Sequence, residues 1–240
     1  MEINITTWNM AHWSHKKHNE KSWKYFTDNL ETDIFLFQEA YPNYNILEKD
    51  KIVWNEIGNT KPWGSGIYAP NNKIKEFGFT NNFFGAVTAA EIEFKNNESL
   101  IFISLYGLME KISNVVYAIP NLHRIFSDLT GILESRNTKH RIIIGGDFNA
   151  SLQIDEIQTG NSHKAFFDRL SEFGLINCFE GFYDDFVQTH RHSRSKKPWQ
   201  NDYFFISKKL LPKLKECKVI DNEFIREYSD HNPVMIKLEL

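Results

Sequence analysis

A chain of 240 residues that is 41% apolar and 15% aromatic can bury one large core, and no Pro- or Gly-rich linker divides it, so a single domain over 1–240 is expected. With 28 Lys and Arg against 31 Asp and Glu, the formal charge of -3 excludes a protein that coats nucleic acid or an anionic membrane by bulk attraction; such affinity has to come from a local patch. Cys178 and Cys217 are too few for a disulfide framework or a cysteine-based zinc site and read as reduced thiols. The opening "MEINITTWNM" lacks a basic stretch followed by an apolar run. No segment approaches the roughly 18 apolar residues a membrane span needs. A cytoplasmic protein without membrane contact is expected, and a monomer.

Strands dominate the chain. "INITTW" (3–8), "DIFLFQE" (33–39), "KIVWNEI" (51–57), "GSGIYA" (64–69), "AVTAAEIEF" (86–94) and "SLIFISLY" (99–106) are followed by "RIIIGGD" (141–147), "YFFIS" (203–207) and "PVMIKLEL" (233–240). Between them, 21–30 reads as a helix, and so does the stretch from Pro120 to about Ser135, where Leu122, Ile125, Phe126, Leu129, Ile132 and Leu133 recur at helical spacing. A third helix is expected over 162–173, with Ser162 as its N-cap, Phe166, Leu170 and Phe173 on one face, and Gly174 closing it. Many strands with a few helices suggest sheets packed on each other and covered outside by helices.

Several of these strands end in polar residues. Asn9 follows "ITTW", Glu39 follows "IFLFQ", Tyr106 and Gly107 follow "IFISL", and Asp147 and Asn149 follow "IIIGG", whose glycines are expected to let the backbone turn as it leaves the sheet. Asp202 precedes "YFFIS", and Asp230 and His231 precede the final strand. A lone acid at a strand end is more often a turn former or a solvated cap than a ligand. Six such termini in one order carry more.

That order, "TWN" (7–9), "FQE" (37–39), "SLYG" (104–107), "GGDFN" (145–149), "WQNDYFFIS" (199–207) and "SDH" (229–231), resembles the endonuclease/exonuclease/phosphatase superfamily, over residues 7 to 231. The resemblance implies the DNase-I-like α+β fold, a four-layer α/β/β/α sandwich of two packed sheets flanked by helices. It further implies hydrolysis of phosphoesters with Mg²⁺, or Mn²⁺ in its place. Glu39 would supply a hard oxygen to the ion, with Asn9 and Asp230 completing its surroundings directly or through water. Asp147 would orient and deprotonate the attacking water, and Asn149 would hold it or the phosphate. His231 would hydrogen-bond a phosphoryl oxygen as charge builds, and Asp202 would fix its tautomer.

Tyr106 and Trp199 resemble the exonuclease III and AP-endonuclease branch, in which a tryptophan at this spacing lines the nucleotide pocket; core packing is the competing reading of each ring. The surrounding "THRHSRSKKPWQN" (189–201) carries Arg191, Arg194, Lys196 and Lys197 and no acid. A basic loop bearing an aromatic suits a nucleic-acid backbone and a stacked base, and a solvated hairpin tip is the plain alternative. Two positions depart from the pattern. Ala11 stands where an Asp would contact the metal, a loss that His12 or His15 would have to make good, and Asn201 replaces the apolar residue that usually precedes the penultimate Asp. The reading is a metal-dependent nuclease acting on DNA or RNA. A phosphomonoesterase on a small or lipid-linked phosphate, or a silent binding module on the same fold, stays open beside it.

Overall fold

The computed structural model describes residues 1–12, 19–58, 61–112, 115–157 and 160–240. Its elements are β1 (Glu2–Asn9), α1 (Asn19–Asn29), β2 (Ile34–Ala40), β3 (Ile52–Gly58), β4 (Lys61–Tyr68), β5 (Lys73–Glu76), β6 (Val87–Glu93), β7 (Ser99–Tyr106), β8 (Glu110–Ile112) and β9 (Val115–Tyr117). There follow α2 (Ile119–Glu134), β10 (Ile142–Asp147), α3 (Leu152–Asp155), α4 (Ser162–Glu172), β11 (Leu175–Asn177), β12 (Asp202–Ser207), β13 (Leu214–Val219), α5 (Glu223–Tyr228) and β14 (Val234–Glu239).

Two six-stranded sheets run in the orders β13-β14-β1-β2-β4-β3 and β11-β12-β10-β7-β6-β5. Both follow one plan: a central parallel pair, β1 with β2 in one and β7 with β10 in the other, is flanked by antiparallel strands. A parallel pair is covered on both faces and so reads as a continuous apolar run rather than an alternation. In β2 every residue is buried, and the period of two sorts them. Ile34 and Leu36 enter the core shared by the two sheets, while Phe35 and Phe37 meet Trp23 and Phe26 beneath α1. On the outer face of the other sheet, Phe126 of α2 and Phe166 of α4 pack edge to face, and Phe166 reaches Phe148. Two sheets face to face with helices outside them give the expected four-layer α+β sandwich. No helix among the described residues is long and apolar enough to cross a membrane.

Three local expectations are corrected. The glycines of "IIIGG" do not turn the chain, because both lie within β10. They admit close neighbours instead: a Cβ on Gly145 would lie 2.3 Å from the Phe204 ring, and one on Gly146 would lie 1.8 Å from the Leu105 carbonyl oxygen. Ser162 does not cap α4. The Asp155 carboxylate, on α3, accepts from the backbone amides of His163 (3.2 Å) and Lys164 (2.7 Å) and satisfies that helix end from outside. The edge strands β5, β11 and β13 and the short α5 carry weaker patterns; α5 is held at its start by Asn222, whose Oδ1 accepts from the Ile225 amide at 3.0 Å.

Candidate active site

Strand pairing brings the polar termini together before any side chain is considered. Asp147 ends β10 directly opposite Asp202, the first residue of β12, and beside Tyr106, the last of β7. In the other sheet Asn9, the last residue of β1, pairs with Gln38. Gln38 links the layers, donating from Nε2 to Thr7 Oγ1 (3.1 Å) and across the core to Ser104 Oγ (2.9 Å). By simple alternation Glu39 would follow Phe35 and Phe37 toward α1. A register shift between Phe37 and Ala40, with Glu39 itself at φ 49, turns its side chain into the site, where Asn9 and Tyr106 hydrogen-bond it.

Asp147 is the hub. Its Oδ2 accepts from Asn9 Nδ2 at 3.0 Å and from Asn149 Nδ2 at 3.0 Å, and its Oδ1 accepts from the Asn149 backbone amide at 2.8 Å. Asn149 reaches back because it too has a left-handed backbone, at φ 49, a conformation that asparagine tolerates better than most residues. His231 Nδ1 donates to Asp202 Oδ2 at 2.8 Å, which leaves its Nε2 facing Asp147 Oδ2 at 3.8 Å. The loop before β14 is anchored on β1: Ser229 Oγ donates to the Asn9 carbonyl at 2.7 Å, and Trp8 Nε1 donates to the His231 carbonyl at 3.1 Å.

Burial governs the charges. It lifts the Asp147 carboxyl to about 7 against the pull of His231, and it lifts Glu39 to about 7 with further push from Asp147. Burial also raises Asp202, to about 8, and pushes the Tyr106 hydroxyl well up, with Glu39 adding to it. At Asp230 burial acts in the same sense, but His190 and His231 more than offset it and bring the carboxyl down to about 2.

Glu39 Oε2 and Asp202 Oδ1 are buried oxygens without a hydrogen-bond partner. Crowded acids with unused hard oxygens are what a divalent cation neutralises, so the residues present fit a metal ion. Asn9 is spent on Asp147, Glu39 and the Ala11 amide, which donates to its Oδ1 at 3.0 Å. The charge of Asp230 reaches Tyr106 and Asp202. Its carboxylate groups with the rings of His190 and His231, with ligand atoms within 4.8 Å of one another; a second such group joins Asp147, Asp202 and His231. Among the described residues neither group includes Glu39.

Of the proposed substrate contacts, half-buried Trp199 lines a hollow of about 340 Å³ together with Asn149, Ile154, His190 and Asn201. Lys197 lies over the Trp199 ring, 5.3 Å from its centroid, and pairs with Glu156 at 3.3 Å, while Lys196 is exposed. Arg191 turns inward rather than toward that loop. Its guanidinium bonds the Asn232 side chain and donates to the Ser229 carbonyl at 2.7 Å, bracing the "SDH" loop. His12 is fully buried, with its ring edge-on to the Trp23 and Tyr41 rings; His15 lies outside the described residues.

One residue of the site escaped the sequence reading. His190 stacks on His231 with ring centroids 4.5 Å apart, and Asn201 Nδ2 bonds its Nδ1 at 3.1 Å. The departure at Asn201 is the signal that pointed there: an amide next to a buried Asp needs a polar partner, and His190 is that partner.

No protein-family model matches the sequence, and no curated protein matches it. Solved structures match over the full length. The endonuclease domain of a telomere-specific non-LTR retrotransposon superposes with a TM-score of 0.72 at 16% identity, covering 100% of this chain and 99% of that one. A 3' phosphatase from Neisseria bound to a product DNA hairpin gives 0.73 at 17% identity, over 99% of this chain and 100% of that one. An AP endonuclease from Archaeoglobus fulgidus gives 0.71 at 15% identity, over the same shares of 99% and 100%. With the layer order, the two parallel-centred sheets and the converging strand ends already in place, these matches show that the chain has the endonuclease/exonuclease/phosphatase fold.

Proposed function

We propose that this chain is a metal-dependent phosphodiesterase that hydrolyses nucleic acid, with Mg²⁺, or Mn²⁺, held at Glu39. One observation carries the reading: a buried carboxylate, Asp147, is fixed at both oxygens by Asn9 and Asn149 and faces a carboxylate-oriented imidazole, His231, 3.8 Å away. When bound, the metal polarises the phosphate and supports the departing oxygen. Asp147 takes the proton of the attacking water, and a carboxyl near 7 suits that task at neutral pH. The three hydrogen bonds from Asn9 and Asn149 keep its oxygens in place without committing its charge to a cation. Asp202 holds the His231 ring by its Nδ1, so Nε2 is turned toward the reacting phosphate, where the ring steadies phosphoryl charge by a hydrogen bond. Tyr106 donates to Glu39 and keeps it turned into the site. Trp199 and Lys196 offer a ring and a charge to the nucleic acid on the side of the hollow.

DNA is the favoured substrate, because one neighbour of this fold is described as bound to a DNA hairpin. A labelled panel of DNA, RNA and 3'-phosphorylated DNA, assayed with and without Mg²⁺, tests the reading. Metal-dependent cleavage is expected, and Asp147→Asn should lower turnover by roughly two to four orders of magnitude, the range of a lost general base. Cleavage by Asp147→Asn at the parent rate would remove Asp147 from the mechanism and this reading with it.

A further inference from the structure

His190 is built into the site as firmly as His231, by different bonds. Its backbone amide donates to the Trp199 carbonyl at 2.9 Å, and it bridges to Trp199 on one side and to His231 on the other. Because the Asn201 amide nitrogen can only donate, His190 Nδ1 accepts and the ring proton sits on Nε2. The Asp230 carboxylate, whose charge His190 helps to hold, lies 3.8 Å from that nitrogen, longer than a full hydrogen bond, so the Nε2–H keeps room for an approaching oxygen. The side chain is 15% exposed, enough for a substrate atom to reach, and the ring borders both the hollow at Trp199 and the His231 edge.

The stacking decides what the pair can hold. With centroids 4.5 Å apart and 24° between ring planes, the two imidazoles stand side by side, a spacing that suits two oxygens of one anion. A phosphodiester has two non-bridging oxygens. On the phosphoester reading above, His231 would take one and the Glu39 side of the site the other. A third donor finds a third non-bridging oxygen only on a terminal phosphate, where the extra negative charge strengthens the hydrogen bond.

We infer that His190 is a second phosphate-binding imidazole, whose Nε2–H contacts the oxygen that a terminal phosphate monoester has and a diester lacks; this deepens, and rests on, the phosphoester reading above. Asn201 is its positioning residue, acting only through His190 Nδ1.

The test compares the parent protein with His190→Ala and His190→Gln on two substrates, a 3'-phosphorylated DNA and the same DNA cut internally, and titrates inorganic phosphate into all three proteins. The ratio of kcat/KM for monoester over diester should fall by about a hundredfold or more in His190→Ala, the scale of a lost anion donor. His190→Gln, which can place an amide donor near the same oxygen, should recover part of it and shows that the fold survives. Phosphate affinity should weaken about ten- to a hundredfold in His190→Ala, as for a lost hydrogen bond to a charged group. An unchanged ratio overturns the inference. Should the parent protein hydrolyse neither substrate, the phosphoester reading fails and the phosphate titration alone decides: equal affinity in the parent and His190→Ala overturns the role of His190, and the weakened affinity sustains it.

Discussion

Replacing Asp202 by Asn should move activity and stability in opposite directions. Asp202 is 1% exposed, its Oδ2 accepts from His231 Nδ1 at 2.8 Å, and its Oδ1 has no partner. For activity, the Asp202 side chain holds the His231 ring in place through this hydrogen bond, and a bond that carries charge is worth about 1.5–3 kcal/mol. Losing it predicts a fall in kcat of about 10- to 150-fold. For stability, burial raises the Asp202 carboxyl to about 8, above its unfolded value near 4. The folded protein therefore binds this proton more tightly than the unfolded chain. Stability associated with the bound proton is present at low pH and is lost as pH rises from about 4 through about 8, at no more than about 1.4 kcal/mol per pH unit for one group. Asn does not titrate. In metal-free protein the Tm of Asp202→Asn relative to the parent should thus climb between about pH 5 and pH 8 and level off above it, whatever the starting difference. Thermal unfolding in chelator across that range, with single-turnover rates at saturating Mg²⁺, makes both measurements. A Tm difference that stays flat with pH would show that Asp202 carries no buried charge cost, and an unaltered kcat would show that it does not support His231.

Glu39→Gln should keep the fold but weaken metal binding, since it removes the carboxylate whose Oε2 is unpartnered; calorimetric titration of Mg²⁺ into the metal-free protein checks this, and equal affinity would place the ion elsewhere. Arg191→Ala should lower stability by roughly 1–3 kcal/mol through the freed Ser229 carbonyl and Asn232, yet leave the salt dependence of DNA binding as it was, whereas Lys196→Ala should flatten that dependence. A flatter salt slope in Arg191→Ala would return Arg191 to the DNA interface. Gly145→Ala should destabilise by about 1–3 kcal/mol, because its Cβ would fall 2.3 Å from the buried Phe204 ring; recovery in the double variant with Phe204→Leu identifies that clash as the cause.

Much of the site was legible because its residues close strands whose apolar runs are strong. Asn9, Tyr106, Asp147 and Asp202 each sit at a strand terminus and Glu39 one residue before one, and parallel pairing at the centre of both sheets brings such termini to one edge. The bulge that turns Glu39 inward leaves no mark in "FLFQEA", since a left-handed glutamate follows from its surroundings and not from its own preference. Arg191 shows the opposite failure. In "THRHSRSKK" its charge looks like the charges around it, and only the Ser229 carbonyl, contributed from 38 positions away, tells it apart.

Composition and apolar periodicity pointed to sheets packed on each other beneath helices, because those follow from local alternation and from the need to bury each apolar face; the four layers and the candidate carboxylates followed from the resemblance carried by the order of the polar strand ends. Tertiary structure alone decided which acids are lifted toward neutrality, which cation turns inward and that His190 joins His231. Each of these depends on atoms brought within about 3–4 Å by loops remote in sequence, where desolvation and hydrogen bonding reverse the preferences a residue has in water.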